Sequence, residues 1–211
     1  MSFEVFTIGH STKAIADFLG VLQKHSIDAV ADVRSAPYSR HNPQFNREAL
    51  QSALKEAKMK YVFLGKELGA RSDEDCCYVN DKVSYSRLAQ SDLFQSGIAR
   101  VLEGASKHRV ALMCAEKDPL DCHRTILVAR ELLKHGALVS HIHSDSTLED
   151  HAASMSRLVA RLGLSEGDMF RSHESTLEEA YELQGDAIAY DRRAHRRPNK
   201  SYELRSSGEH G

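Results

Sequence analysis

The feature that most constrains this chain is a regular exchange between two patterns. Short runs of β-branched and apolar residues alternate with longer stretches whose apolar residues recur every third or fourth position. Five runs read as strands, at residues 4–8, 27–33, 60–64, 109–114 and 138–143. Between them Ile15, Phe18, Leu19 and Leu22 predict one helix, with Ser11 or Thr12 as its cap. Leu50, Ala53, Leu54 and Ala57 predict a second behind Asn46, and Ile126, Ala129, Leu132 and Leu133 a third behind Asp121, closed by Gly136. After the fifth strand, residues 148–162 and 177–190 carry two more amphipathic patterns. Strand alternating with helix builds a parallel sheet covered on both faces. The expectation is a three-layer, Rossmann-like α/β fold: a mostly parallel five-stranded sheet flanked by helices, with extra C-terminal helices. A strand order 3-2-1-4-5 would place the reversal between the first and fourth strands, where open α/β sheets bind ligands.

Length and charge narrow the frame. The 211 residues suit one domain, read as residues 1–190. Residues 191–211, with Arg192, Arg193, Arg196, Arg197 and Lys200, read as a basic, flexible tail. Residues 65–80 read as a polar surface loop carrying an incidental, exposed Cys76-Cys77 pair. A formal charge of −2 argues against coating nucleic acid by bulk charge. No apolar run approaches the ~18–20 residues of a membrane span, and the N-terminus does not read as a signal peptide. The expected location is cytoplasmic, where four cysteines are thiols or ligands, not a disulfide scaffold. There is no G-x-G-x-x-G and no Walker A sequence, so the fold class implies no dinucleotide.

Three strand ends carry unusual chemistry. They read Gly9-His10-Ser11, Asp32-Val33-Arg34-Ser35-Ala36-Pro37, and Cys114-Ala115-Glu116 followed by Cys122-His123-Arg124. This combination, with Ala180-Tyr181, Gln184 and Ile188-Ala189-Tyr190 further on, resembles the family called domain of unknown function 488. The resemblance spans roughly residues 4–190 and implies one compact α/β domain without an assigned activity. Gly69-Ala70, where a glycine pair is expected, and Cys76-Cys77 depart from the family pattern.

The residues themselves point to thiol and imidazole chemistry. A thiol at Cys122, in the first turn behind Asp121, would feel the positive helix end and ionise more easily. Cys114 or Cys122 is the candidate reactive thiol, with His10 for proton transfer and Asp32 and Glu116 as orienters. Arg34, Ser11, Ser35, Tyr38, His123 and Arg124 are the candidates for holding the substrate. The structural alternatives are a buried, inert Cys114, a His10 that bonds a neighbouring loop, and an Arg124 ion-paired to Glu116 or Asp32. Zinc on Cys114 and Cys122 with His10 or His123 ranks last, because the C-x7-C spacing exceeds that of zinc knuckles. The leading expectation is an enzyme acting on a small anionic substrate, a nucleotide or modified base. The rivals are a nucleic-acid-associated protein using Tyr38, Arg34, Arg40 and the tail, and a thiol redox or regulatory module without turnover.

Overall fold

Residues 4–9 bury five consecutive residues after Glu4, as a strand covered on both faces does. In the computed structural model, which describes residues 3–164 and 172–195, this is β1 (Glu4–Gly9). It is followed by β2 (Ala29–Asp32), β3 (Lys60–Phe63), β4 (Tyr78–Val79), β5 (Lys82–Val83), β6 (Val110–Cys114), β7 (Leu138–Ile142) and β8 (Leu148–Asp150). The helices are α1 (Ile15–Lys24), α2 (Arg47–Glu56), α3 (Tyr85–Ala89), α4 (Asp92–Ala105), α5 (Arg130–Lys134), α6 (His151–Arg161), α7 (His173–Ile188) and α8 (Arg192–His195). A π-helical segment, Arg124–Ala129, leads directly into α5.

All five expected strands form, and they are parallel to one another. The sheet has six strands where five were expected, in the order β3-β2-β6-β1-β7-β8, because β8 adds an antiparallel edge. Leu148 therefore belongs to this strand instead of a helix, and Asp145 accepts from the Thr147 amide at 2.9 Å to make the turn before it. Among the five parallel strands the order is 3-2-4-1-5, which corrects 3-2-1-4-5. The difference is that β6 is inserted between β2 and β1; in both orders β6, buried at every residue, has partners on both edges, and β3, with its alternating exposed residues, takes an edge.

Alternate residues of each strand feed two cores. Phe6, Ile8, Val30, Ala111 and Met113 cluster with Phe18 and Leu22 of α1 and Leu50 and Leu54 of α2. Val5, Ala31, Leu112, Cys114 and Val139 cluster with Phe94, Ile98 and Val101 of α4 and with Leu132 of α5. The chain leaves β1 and β2 toward one face and β6 toward the other, so β6 is flanked by the reversal expected of a ligand site. A third cluster, with Leu120, Ile126, Met155, Leu158 and Tyr181, packs α6 and α7 against the entry to the π-helical segment.

Local details differ from the sequence reading in four places. Ser11 takes a positive φ of 50°, and α1 begins behind Ala14 with no side-chain cap. Asp121 ends a 3-10 turn, Pro119–Asp121, that Asp118 caps by accepting from the Leu120 amide at 2.9 Å. Residues 65–80 include a second 3-10 turn and the first strand of the β4–β5 hairpin, and they bury Leu68 and Cys77, leaving Cys76 alone exposed. At the start of the expected tail, Arg192 stacks 3.5 Å above the Tyr78 ring and pairs with Asp75. Residues 196–211, including Arg196, Arg197 and Lys200, lie outside the described residues.

A buried polar seam crosses the third cluster. Thr7 Oγ1 lies 2.7 Å from His141 Nδ1, His141 Nε2 lies 3.1 Å from His151 Nδ1, and His151 Nε2 lies 2.6 Å from the Tyr181 hydroxyl. Among the described residues no helix is long and apolar enough to cross a membrane.

Candidate active site

The three strand ends singled out in the sequence are stitched together at β6. The His10 amide donates to the Cys114 carbonyl at 2.9 Å, Ser11 to Ala115 at 2.9 Å, and Val33 to Met113 at 3.1 Å. Gly9 makes this closeness possible. A Cβ there would stand 1.8 Å from the Glu116 carbonyl oxygen and 3.2 Å from an Arg124 nitrogen.

On the α1/α2 side, Asp32 is fully buried and accepts from Arg34 Nε at 2.9 Å and Nη2 at 2.6 Å, and from the Tyr61 hydroxyl at 2.9 Å. Arg34 Nη2 also donates to the Phe45 carbonyl at 2.8 Å, and Nη1 donates to His10 Nε2 at 3.2 Å. Burial alone would lower the Arg34 pKa, but the hydrogen bonds and charge of Asp32 raise it. The His10 ring stacks on Phe45 with centroids 4.2 Å apart, and its Nδ1 donates to the Ser11 carbonyl at 2.7 Å. Both ring nitrogens are thus engaged and the imidazole is neutral. Burial is the main cause that lowers its pKa to about 4.

On the α4/α5 side, the imidazole that meets the sulfurs is His123. Its Nδ1 lies 3.8 Å from Cys114 Sγ and 3.8 Å from Cys122 Sγ, and its Nε2 donates to the Val33 carbonyl at 3.0 Å. The structure does not bring His10 to the thiols. Cys122, extended at φ −139°, sits just before the helical segment, and its carbonyl accepts from Thr125 and Ile126. Its sulfur accepts from the Arg124 amide at 3.5 Å and lies 3.0 Å from Glu116 Oε2. Burial disfavours a Cys122 thiolate, but the Cys114 hydrogen bond, Arg124 and His123 outweigh it and pull the pKa well down. The pair shares its proton unequally. Bonding to Cys122 and burial push Cys114 well up, while burial and the Cys122 charge raise Glu116. Burial would lower His123, but the Cys122 thiolate raises it.

Arg124 is buried without a carboxylate partner among the described residues. Its guanidinium donates to the Glu116 carbonyl at 2.9 Å and the Lys117 carbonyl at 3.4 Å, and no ion pair with Glu116 or Asp32 forms. Its Nε has no hydrogen-bond partner among the described residues.

The two halves share a cleft of about 400 Å³, walled in part by Arg34, Ser35, Cys114, Glu116 and His123. Ser35 Oγ accepts from the Arg71 amide at 3.2 Å. Ser11 and Tyr38 lie outside the wall, and Tyr38 donates its exposed hydroxyl to Glu48 at 2.8 Å. Sequence reasoning missed Arg71 and Tyr190, which also line the cleft, with the Arg71 guanidinium 4.3 Å above the Tyr190 ring. Only the polar character of residues 65–80 hinted at Arg71, and nothing local linked it to Tyr190.

A family model described as "Domain of unknown function DUF488" matches residues 14–130, more than half of the chain. The chain belongs to this family. The match includes Asp32, Arg34, Cys114, Glu116, Cys122, His123 and Arg124, and it stops short of Gly9-His10-Ser11 and of the C-terminal motif in α7. No curated protein and no solved structure matches the chain. Family membership brings the DUF488 protein no assigned chemistry, which leaves the cleft itself as the source of one.

Proposed function

We propose that this DUF488 protein is an enzyme acting on a small anionic ligand, a nucleotide or modified base, through thiolate and imidazole chemistry at the end of β6. The observation that carries the reading is the convergence of Cys114, Cys122 and His123 beside a 400 Å³ cleft that also receives Arg71. That volume falls within the range of small-ligand sites. Arg71, exposed and anchored through its backbone, is the cation that meets an anion there. The guanidinium of Arg34 is committed to Asp32, Phe45 and His10, so it adds charge and holds shape. His123 takes the proton-transfer role first assigned to His10, and Glu116 stands beside it at the cleft wall.

Ligand-induced thermal stabilisation tests the reading. Inorganic phosphate and nucleoside monophosphates should raise Tm more than the corresponding nucleosides, and Arg71→Ala should erase the difference. Equal responses to charged and uncharged ligands would remove the anion from the proposal. Turnover of a bound ligand that survives Cys114→Ala combined with Cys122→Ala would remove the thiols.

The proximity of the two sulfurs favours a dithiol couple as the second reading. Hydrogen peroxide, reduced to water as the two thiols lose their hydrogens, should then leave a Cys114–Cys122 cross-linked peptide in mass spectrometry. Unmodified thiols would dismiss it.

A further inference from the structure

The ligand atoms of Cys114, Cys122 and His123 all lie within 4.8 Å of one another, and all three residues are buried. Zinc held by sulfur at about 2.3 Å and nitrogen at about 2.0–2.1 Å keeps those atoms roughly 3.6 Å apart in a tetrahedral site. The observed 3.8 Å from His123 Nδ1 to each sulfur needs only a small contraction. The far side of the ring is prepared in the same sense. Nε2 donates to the Val33 carbonyl at 3.0 Å, which puts the proton on Nε2 and aims the Nδ1 lone pair at the sulfurs. Histidines that bind metal ions are held by such a bond.

Charge supplies an independent argument. Arg124 is 1% exposed, has no carboxylate partner among the described residues, and offers its amide to Cys122 Sγ. A buried cation needs compensation. Two thiolates and a divalent ion sum to zero, the Glu116 carboxylate adds one negative charge, and Arg124 balances it. Glu116 Oε2 lies 3.0 Å from Cys122 Sγ and its residue borders the cleft, but it stands outside the group of three ligand atoms.

We infer that Cys114, Cys122 and His123 bind a thiophilic divalent metal ion, zinc by ligand type, with the fourth position open to a ligand in the cleft. This rests on the same centre as the proposed function and revises two of its roles: the thiolates and His123 hold an ion that polarises an oxygen of the bound anion, and proton transfer passes from His123 to Glu116 at the cleft wall. The wide spacing of the two cysteines is no obstacle. Cys114 ends a strand, Cys122 precedes a helical segment, and the turn at Pro119–Asp121 folds one back toward the other.

The full chain, purified with a non-chelating reductant, is stripped with a chelator and titrated with Co²⁺. The expected result is one cobalt per chain, with thiolate charge-transfer absorption in the near ultraviolet and strong tetrahedral bands in the visible, both abolished by zinc. Cys122→Ser and His123→Ala should each lose or shift those bands, with circular dichroism reporting that the fold persists. Cys76→Ser should leave them unchanged, which separates this centre from the Glu74, Cys76 and Cys77 group on the hairpin side. A folded, stripped wild-type chain that shows no thiolate–cobalt band overturns the inference, as does a band that Cys76→Ser removes. Arg71-dependent anion stabilisation without a cobalt band would sink the metal and leave the enzyme reading. A cobalt band without any anion effect would do the reverse.

Discussion

Asp32 and Arg34 form a salt bridge with both side chains buried, the only such pair among the described residues. Breaking one side strands the other charge, so Asp32→Ala should destabilise the fold by about 3–5 kcal/mol, read from urea denaturation. Adding Arg34→Met should recover part of the loss, and a double variant no more stable than the single one would contradict this account. His10 and His151 are neutral in the fold, each with its pKa lowered to about 4 mainly by burial. The unfolded chain takes up protons near pH 6.5, so stability is full above that pH and falls as pH drops from about 6.5 to about 4. Each histidine contributes up to about 1.4 kcal/mol per pH unit in that window. His151→Gln should flatten the dependence of Tm on pH between 7 and 5, and an unchanged slope would exclude the residue as a cause. The residue types of the site were legible in the sequence, but their partners were not. Asp32 reads equally well beside His10 or Arg124, and only the turn through Val33 shows that Arg34 claims it.

At the scale of elements, the turn between β6 and the π-helical segment decides where Cys122 points. Three contacts from distant helices hold it. Arg157 of α6 reaches Asp118 at 3.1 Å, and Arg161 reaches Asp121 at 3.0 Å. From α7, Gln184 donates to the Leu120 carbonyl at 2.9 Å. Gln184→Ala should therefore cost about 1 kcal/mol and speed alkylation of Cys122 by iodoacetamide. An unchanged alkylation rate would mean that the turn holds itself. Spacing alone therefore says little about whether the two sulfurs meet. The knuckle rule assumes ligands on one tight turn, whereas here seven residues form a loop clamped by α6 and α7. The short β8 was invisible for a related reason. Leu148, Glu149 and Asp150 are too few to show alternation, and Leu148 also fits the helical stripe that follows.

Across the whole molecule, the five parallel strands and the helices between them could be read from periodicity, because each carries its own pattern. Strand order could not, since β1, β2 and β6 are all apolar enough to be internal and their patterns do not say which lies beside which. Placing β6 between β2 and β1 puts Cys114 beside both Asp32 and His10, yet side-chain alternation sends them to opposite faces. The thiols and His10 therefore lie on opposite faces of the sheet instead of in one cluster, and of these groups only Cys114 reaches the cleft wall. The seam of Thr7, His141, His151 and Tyr181 joins the sheet to α7 and has a consequence of its own. A single hydrogen occupies the 3.1 Å gap between His141 Nε2 and His151 Nδ1 when both rings are neutral. If His141 carries its hydrogen on Nε2, His151 must carry its own on Nε2 as well, and the same holds for Nδ1. Nitrogen chemical shifts should show the two rings in the same tautomer, and one ring of each kind would refute the bond. The pair then behaves as one tautomeric unit whose polarity runs from β1 to α7. A change of donor at Thr7 would reach Tyr181, three elements along the seam and on the helix that steadies the Cys122 turn, with no change in net charge.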